Sequence, residues 1–156
     1  MRILDELVED LFHSALSISK LTARGEQFEL QDITINGNVC KWFVNAPSTL
    51  PQMIKESISD QTFYVYKTER YTFNEMYQRA SSLAAELIEK YGISPGDRVA
   101  IGMRNYPEWP IAFTAITSIG GIVVALNAWW ESDELEYGLN HTGTKVAIVD
   151  QERLDR

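Results

Sequence analysis

The chain has 156 residues, of which 45% are apolar and 23% charged, and its formal net charge is −8. That balance is globular rather than disordered, and a chain of this length buries roughly 68–70% of its unfolded surface on folding, enough for a core. The negative charge argues against nucleic acid and against an anionic membrane surface, both of which demand a basic face.

Residues 1–25 are read as an N-terminal helix and linker. Leu4, Leu7, Val8, Leu11, Phe12, Ala15 and Leu16 recur at helical spacing, which predicts a one-faced helix over 3–20. Its polar face carries Asp5, Glu6, Glu9 and Asp10. Interfacial membrane helices favour Lys and Arg there, so the helix is expected to pack on a protein surface. His13 borders the stripe and reads as a packed or surface histidine. The acidic start differs from the basic opening of a secretory leader. The longest apolar run, Ile111 to Leu126, is broken by Thr114, Thr117, Ser118 and Gly120-Gly121, short of the roughly 20 residues that span a bilayer. A cytoplasmic location is expected.

Residues 26–70 read as β-hairpins and a short helix. Phe28, Leu30, Ile33 and Ile35 form one arm, and Val39, Trp42 and Val44 the other, around Asn36-Gly37. That dipeptide is a strong hairpin signal, because both turn positions need positive φ. The lone cysteine, Cys40, falls on the second arm. It is expected to pack as a small hydrophobe on a half-buried strand. Asn45-Ala46-Pro47 breaks that strand. Thr49 caps a short helix with Pro51 in its first turn. Residues 62–66 and 70–73 predict a second hairpin around Lys67-Thr68-Glu69.

Residues 71–156 alternate helix and strand. Thr72 and Glu75 are spaced as a capping box, flanked by Tyr71 and Met76 as a hydrophobic staple. The helix continues through Ala80, Leu83, Ala84, Leu87 and Ile88 and stops at Gly92. Ser94-Pro95-Gly96-Asp97 fits a type II turn. Val99 to Met103 predicts a strand covered on both faces. A helix opens within Asn105 to Pro110 and ends at Gly120-Gly121. Ile122 to Leu126 predicts a second buried strand, Ser132 the cap of a third helix, and Lys145 to Val149 a third strand. Asp150-Gln151-Glu152-Arg153 reads as a polar linker. The predicted fold class is therefore α/β: an N-terminal helix and β-hairpins, then a mostly parallel βαβαβ sheet with flanking helices.

Several residue groups invite a chemical reading and are better explained otherwise. Thr142-Gly143-Thr144-Lys145 has phosphate-loop composition but leads into a strand, whereas such a loop follows one. No G-x-G-x-x-G or G-x-x-x-x-G-K-[ST] pattern occurs. Asn140-His141-Thr142 matches a glycosylation sequon, of a kind that arises by chance. His141 is placed at a helix end, favourable to its charged form. Glu131, Asp133, Glu134 and Glu136 read as a solvated helix start rather than a metal site. No catalytic residue and no metal ligand is assigned. The candidates for a channel lining or an interface are Asn127, Trp129, Trp130, Tyr106 and Trp109, because parallel sheets bind ligands beyond the carboxyl ends of their strands.

The run from Tyr71 to Asp150 resembles the opening of the adenylate-forming (AMP-binding) enzymes, the group that includes acyl-CoA synthetases. The resemblance is carried by the Thr72–Glu75 start, the Ala/Leu-rich helix, Pro95-Gly96-Asp97-Arg98-Val99-Ala100, Asn105, Gly120-Gly121 and Leu126-Asn127. Glu134, Tyr137 and the 145–148 strand complete it. Asn45-Ala46-Pro47 after a hairpin is similar to the fatty acyl-CoA synthetase subgroup. The resemblance implies that residues 71–156 are the incomplete αβαβαβ start of an AMP-binding domain. A full-length relative would use ATP, Mg²⁺ and CoA to turn a carboxylic or fatty acid into acyl-AMP and then acyl-CoA. The residues that the family uses for adenylation would lie beyond position 156. The chain alone is thus expected to bind none of these cofactors and to be inactive, with the remainder of a ligase as its partner. The alternative is a naturally short, non-catalytic interaction protein that pairs with itself or with a full-length relative.

Overall fold

Residues 16–156 are described in the computed structural model of the chain, and they fall into two compact units divided between Ser48 and Thr49. Most of the helix predicted over 3–20, with His13, lies outside the described residues; residues 16–21 are helical. Among the described residues no helix is long and apolar enough to cross a membrane.

The first unit is built on a hairpin of β1 (Leu30–Ile35) and β2 (Asn38–Phe43), in which Ile33 faces Cys40. Asn36 and Gly37 turn it with φ of 49° and 82°, the left-handed pair that matches the twist of the arms. Asn45 Nδ2 donates to the Glu26 carbonyl at 3.1 Å and ties the segment that leaves the hairpin to the one that enters it. The expectation for Cys40 is corrected: every residue of β2 is exposed, Cys40 included. A two-stranded ribbon whose faces both meet solvent has no inner side for alternating residues to choose.

The second unit opens with α1 (Leu50–Glu56), where Thr49 Oγ1 accepts the Gln52 amide at 3.2 Å. The antiparallel strands β3 (Thr62–Tyr66) and β4 (Glu69–Thr72) follow, turning at Lys67. The chain then enters α2 (Phe73–Glu89) through the expected capping box. Thr72 Oγ1 accepts the Glu75 amide at 3.1 Å, and the Glu75 carboxylate accepts the Thr72 amide at 2.8 Å. Two of the four orphan amides of the helix start are satisfied in this way.

The rest is β5 (Arg98–Gly102), α3 (Glu108–Ser118), β6 (Ile122–Ala125), α4 (Ser132–Thr142), β7 (Val146–Val149) and the single turn α5 (Gln151–Leu154). The three strands form a parallel sheet in the order β6-β5-β7. β5 lies in the middle, and Val99, Ala100 and Ile101 are fully buried. Strand side chains alternate faces. Val99 and Ile101 accordingly join Met76, Ala80 and Leu87 of α2 and Ile111, Ala112, Ala115 and Ile116 of α3. Ala100 joins Leu126, Leu135, Trp130 and Leu139 on the α4 side.

Three local expectations are corrected. β6 is not a buried strand: Ile122 and Ala125 are exposed, because the strand order places it at an edge. The cap of α4 is Glu131, whose amide donates to Glu134 at 3.0 Å; Ser132 instead donates its hydroxyl to the Arg156 carbonyl at 2.8 Å. The segment after β7 is a helical turn rather than a linker, because Asp150 caps it by accepting the Arg153 amide at 3.1 Å.

Candidate functional site at the carboxyl edge of the sheet

Three parallel strands deliver their following segments to one edge of the sheet, the usual ligand side of such folds. β5 delivers Met103 to Tyr106, β6 delivers Leu126 to Trp130, and β7 delivers Asp150 to Arg153. Between the first two lies a cleft of about 470 Å³ whose lining includes Asn105, Trp109, Asn127 and Trp129. A neighbouring cleft of about 410 Å³ carries Tyr66, Tyr71 and Tyr106 with Glu69, Glu108 and Asp150. Tyr64 lies beside these, its hydroxyl donating to the Pro107 carbonyl at 3.4 Å. Burial, then the facing Tyr71, pushes its phenol up to about 12, so it stays protonated and a donor.

The five sequence candidates do not form one cluster. Asn127, Trp129 and Trp109 share the larger cleft. Tyr106 turns away, edge-on to Tyr66 at 6.1 Å, while Trp109 stacks on Phe113 at 5.6 Å. The Trp129-Trp130 pair is split. Trp130 packs against Leu126 and α4, where a Cβ on Gly138 would come within 2.9 Å of its ring. Trp129 remains 69% exposed, with the Arg104 guanidinium 4.8 Å from its ring centroid. Asn127 shapes the turn between them: its side-chain oxygen accepts the Trp129 amide at 2.9 Å and its carbonyl the Trp130 amide at 3.1 Å.

The residues that organise this edge include charged groups that sequence reasoning passed over. Arg153 is 4% exposed. Its Nε donates to the Ala128 carbonyl at 2.6 Å, and its Nη1 lies 3.1 Å from both Asp150 oxygens and 3.0 Å from Glu152. Asp150 also accepts the Arg104 amide at 3.1 Å. Arg104 Nη2 bonds Glu152 at 3.0 Å, and Arg156 donates to the Trp130 carbonyl at 2.5 Å. A pointer to this was present in the sequence: an Asp followed three residues later by Arg, directly after an apolar strand, is a capped turn with an i,i+3 ion pair.

The Thr142–Lys145 turn does not fit a phosphate. Arg98 already donates to the Thr142 carbonyl at 2.9 Å and to the Gly143 carbonyl at 3.4 Å, and the Lys145 ammonium is paired with Asp97 at 2.7 Å. Gly143 is the left-handed cap of α4 rather than part of a cradle. His141, in the last turn of that helix, stacks on Tyr137 at 5.1 Å.

These ion pairs set the response to acid. The Lys145 ammonium, then the Ser94 amide, holds the Asp97 carboxyl below the ordinary aspartate range. Burial pushes Asp150 up, but the Arg104 amide and the Arg153 guanidinium outweigh it, so Asp150 is also held low. A carboxyl with a depressed native pKa contributes stability above its unfolded value and loses it as pH falls through the native one. Urea midpoints are therefore expected to fall as pH drops through and below the aspartate range of about 4. Asp97→Asn should flatten that fall; an unchanged acid limb would dismiss the Asp97 contribution.

Comparison with known proteins agrees with this geometry. The family model described as AMP-binding enzyme matches residues 54–156. The long-chain-fatty-acid–CoA ligase of Escherichia coli is 34% identical over 104 residues, 65% of this chain and 18% of that protein. The 4-hydroxybutyrate–CoA ligase 2 of Metallosphaera sedula is 29% identical over 73% of this chain and 21% of its own length. Among solved structures, the anthranilate CoA ligase AuaEII in complex with anthranoyl-AMP superposes with a TM-score of 0.65 at 24% identity, over 69% of this chain and 21% of that one. The N-terminal subdomain of NpsA from Klebsiella oxytoca gives 0.61 at 24% identity, over 66% and 28%. The chain thus spans about a fifth of the length of the curated ligases it matches. With its parallel β6-β5-β7 sheet and its match over two thirds of its residues, this chain belongs to the AMP-binding enzyme family, the adenylate-forming acid–CoA ligases and their relatives.

Proposed function

We propose that this chain is the amino-terminal part of an ATP-dependent acid–CoA ligase that acts in the cytoplasm. The whole ligase would join a carboxylic acid to AMP with ATP and Mg²⁺, releasing pyrophosphate, and then pass the acyl group to the CoA thiol. A fatty acid is the narrower reading, supported by relatives named long-chain-fatty-acid–CoA ligases. The observation that carries the proposal is the family match over 54–156, joined to a span of about a fifth of the ligases' length. In this role Asn127, Trp129 and Trp109 line part of an acyl or CoA channel, or the seam against the rest of the ligase. Tyr106 and Trp130 support that wall from either side. A flat, partly exposed indole beside a cation suits both uses, since it offers apolar area together with a polar rim.

The residues described here supply no phosphate loop, so residues 1–156 alone are expected to form no acyl-AMP. Pyrophosphate release with ATP, Mg²⁺ and a panel of carboxylic acids tests this, and turnover above the no-enzyme control would refute it. An antibody against residues 1–25 tests the parentage: a cellular product several-fold heavier than 17.8 kDa is expected.

A second reading rests on the sheet edges. Among the described residues β6 and β7 each pair on one side only, leaving backbone donors and acceptors open to another chain. If the cellular product runs at the mass of this chain, those edges pair with a second copy or with a full-length relative. A stable discrete oligomer in size-exclusion chromatography then replaces the ligase reading.

A further inference from the structure

We infer that Arg153 is a positioning residue: it latches the segment after β6 so that Trp129 and Asn127 hold their places in the cleft. This rests on the ligase reading only for what the cleft is used for; the latch itself is a matter of geometry.

The contacts close on themselves. Trp129 lies under the Arg104 guanidinium at 4.8 Å. Arg104 is held by Glu152 at 3.0 Å. Glu152 is held by Arg153 Nη1 at 3.0 Å. Arg153 Nε, 2.6 Å from the Ala128 carbonyl, returns to the residue next to Trp129. The segment is thus gripped at two consecutive residues, Ala128 through its backbone and Trp129 through its ring. Asp150 anchors the circuit to the other two strands of the sheet, by capping α5 after β7 and by accepting the Arg104 amide after β5.

Guanidinium chemistry is what permits this. Its planar fork can donate in two directions at once, to a carboxylate and to a carbonyl, whereas an ammonium is a point charge. The desolvated position gives these charge-assisted bonds more weight than they would have at the surface. Without the latch, Ala128 and Trp129 keep the Asn127 turn and the exposed indole stack, while Trp130 beyond them stays packed on α4 and bonded to Arg156. Side chains that position a substrate have to be held by such supporting bonds, because small displacements are expensive in rate.

Two variants of the full chain test the inference without any activity assay. Arg153→Lys keeps the charge near Asp150 but cannot also reach Ala128 in the same geometry. Hydrogen exchange across residues 127–130 is expected to quicken about tenfold or more, as for loss of one charge-assisted hydrogen bond, while exchange across β5 and α2 stays unchanged. Glu152→Gln leaves the Ala128 bond in place and cuts the hold on Arg104. It should leave exchange at 127–130 unchanged and raise acrylamide quenching of the Trp129 emission, taken as the difference from Trp129→Phe in the same background. Unchanged exchange at 127–130 in Arg153→Lys, a rise spread evenly over the whole Thr49–Arg156 unit, or unchanged Trp129 quenching in Glu152→Gln each overturns the latch. None of these readings depends on adenylation, so a failure here leaves the ligase proposal standing, and the reverse also holds.

Discussion

Ile101→Ala is expected to lower the unfolding free energy of the Thr49–Arg156 unit by about 4 kcal/mol, within the range for truncating a fully buried isoleucine. Ile101 is 0% exposed and faces the α2–α3 layer from the middle strand. Its backbone neighbours are Ala125 on β6 and Ile148 on β7. Three carbons leave a site walled by two helices and two strands, so little can relax into the space. A domain of this size has only about 5–15 kcal/mol in total, so the loss is a large share of it. The urea midpoint should fall with an unchanged slope. A loss below about 1 kcal/mol would mean that the site collapses around the missing atoms, contrary to close packing.

Gly121→Val should follow, at about 3 kcal/mol, the upper part of what overpacking costs. A Cβ on Gly121 would sit 2.9 Å from Ile116 Cγ2 and 2.9 Å from the Ile116 carbonyl oxygen. That oxygen already accepts the Gly121 amide at 2.9 Å, so the last turn of α3 has to give way before a side chain can enter. Gly120 is constrained for a different reason, a φ of 74° that side chains rarely adopt. Measuring Gly121→Ala alongside separates sterics from chain entropy. If alanine is tolerated and valine is not, the barrier lies in the branched side chain rather than in the first carbon.

The glycine pair shows how much of this fold was legible in the sequence. Its place at a helix end before a strand was readable, because glycine there breaks one periodicity and begins another. So were the Thr72–Glu75 box, the Asn36-Gly37 turn and β5, whose unbroken apolar run has a strand's length. Such signals are local, and local chemistry decides them. What was missed depends on neighbours distant in sequence. The burial of β6 was overestimated because its composition matches that of β5 while strand order alone sets it at the edge. Cys40 was placed half inside because an apolar alternation says which residues share a face and not whether anything covers it. At the candidate site, the carboxyl edge was legible from the strand pattern, as was the position of Asn127 and Trp129 along it. Trp130 was not separable from Trp129, since only the space left by Gly138 shows which of the two rings turns inward. For Arg153 the spacing to Asp150 pointed to a capped turn and an ion pair, but its burial did not show: a charged residue after a strand reads as surface until its distant partner, the Ala128 carbonyl, is known.

The order of the strands has a consequence for how the sheet assembles. The middle strand comes first in the chain, so both edges must find it and neither can form a sheet without it. Arg98 meets Ile122 across one pair, while Val99 meets Val146 across the other, about twice as far along the chain. Closing a loop twice as long costs about 0.6 kcal/mol more, close to a threefold handicap in rate. The sheet is thereby expected to grow asymmetrically, with β6 docking ahead of β7. The charged turn after β7, which carries Arg153, would then be the last part of the carboxyl edge to arrive and the one that sets the shape of the others.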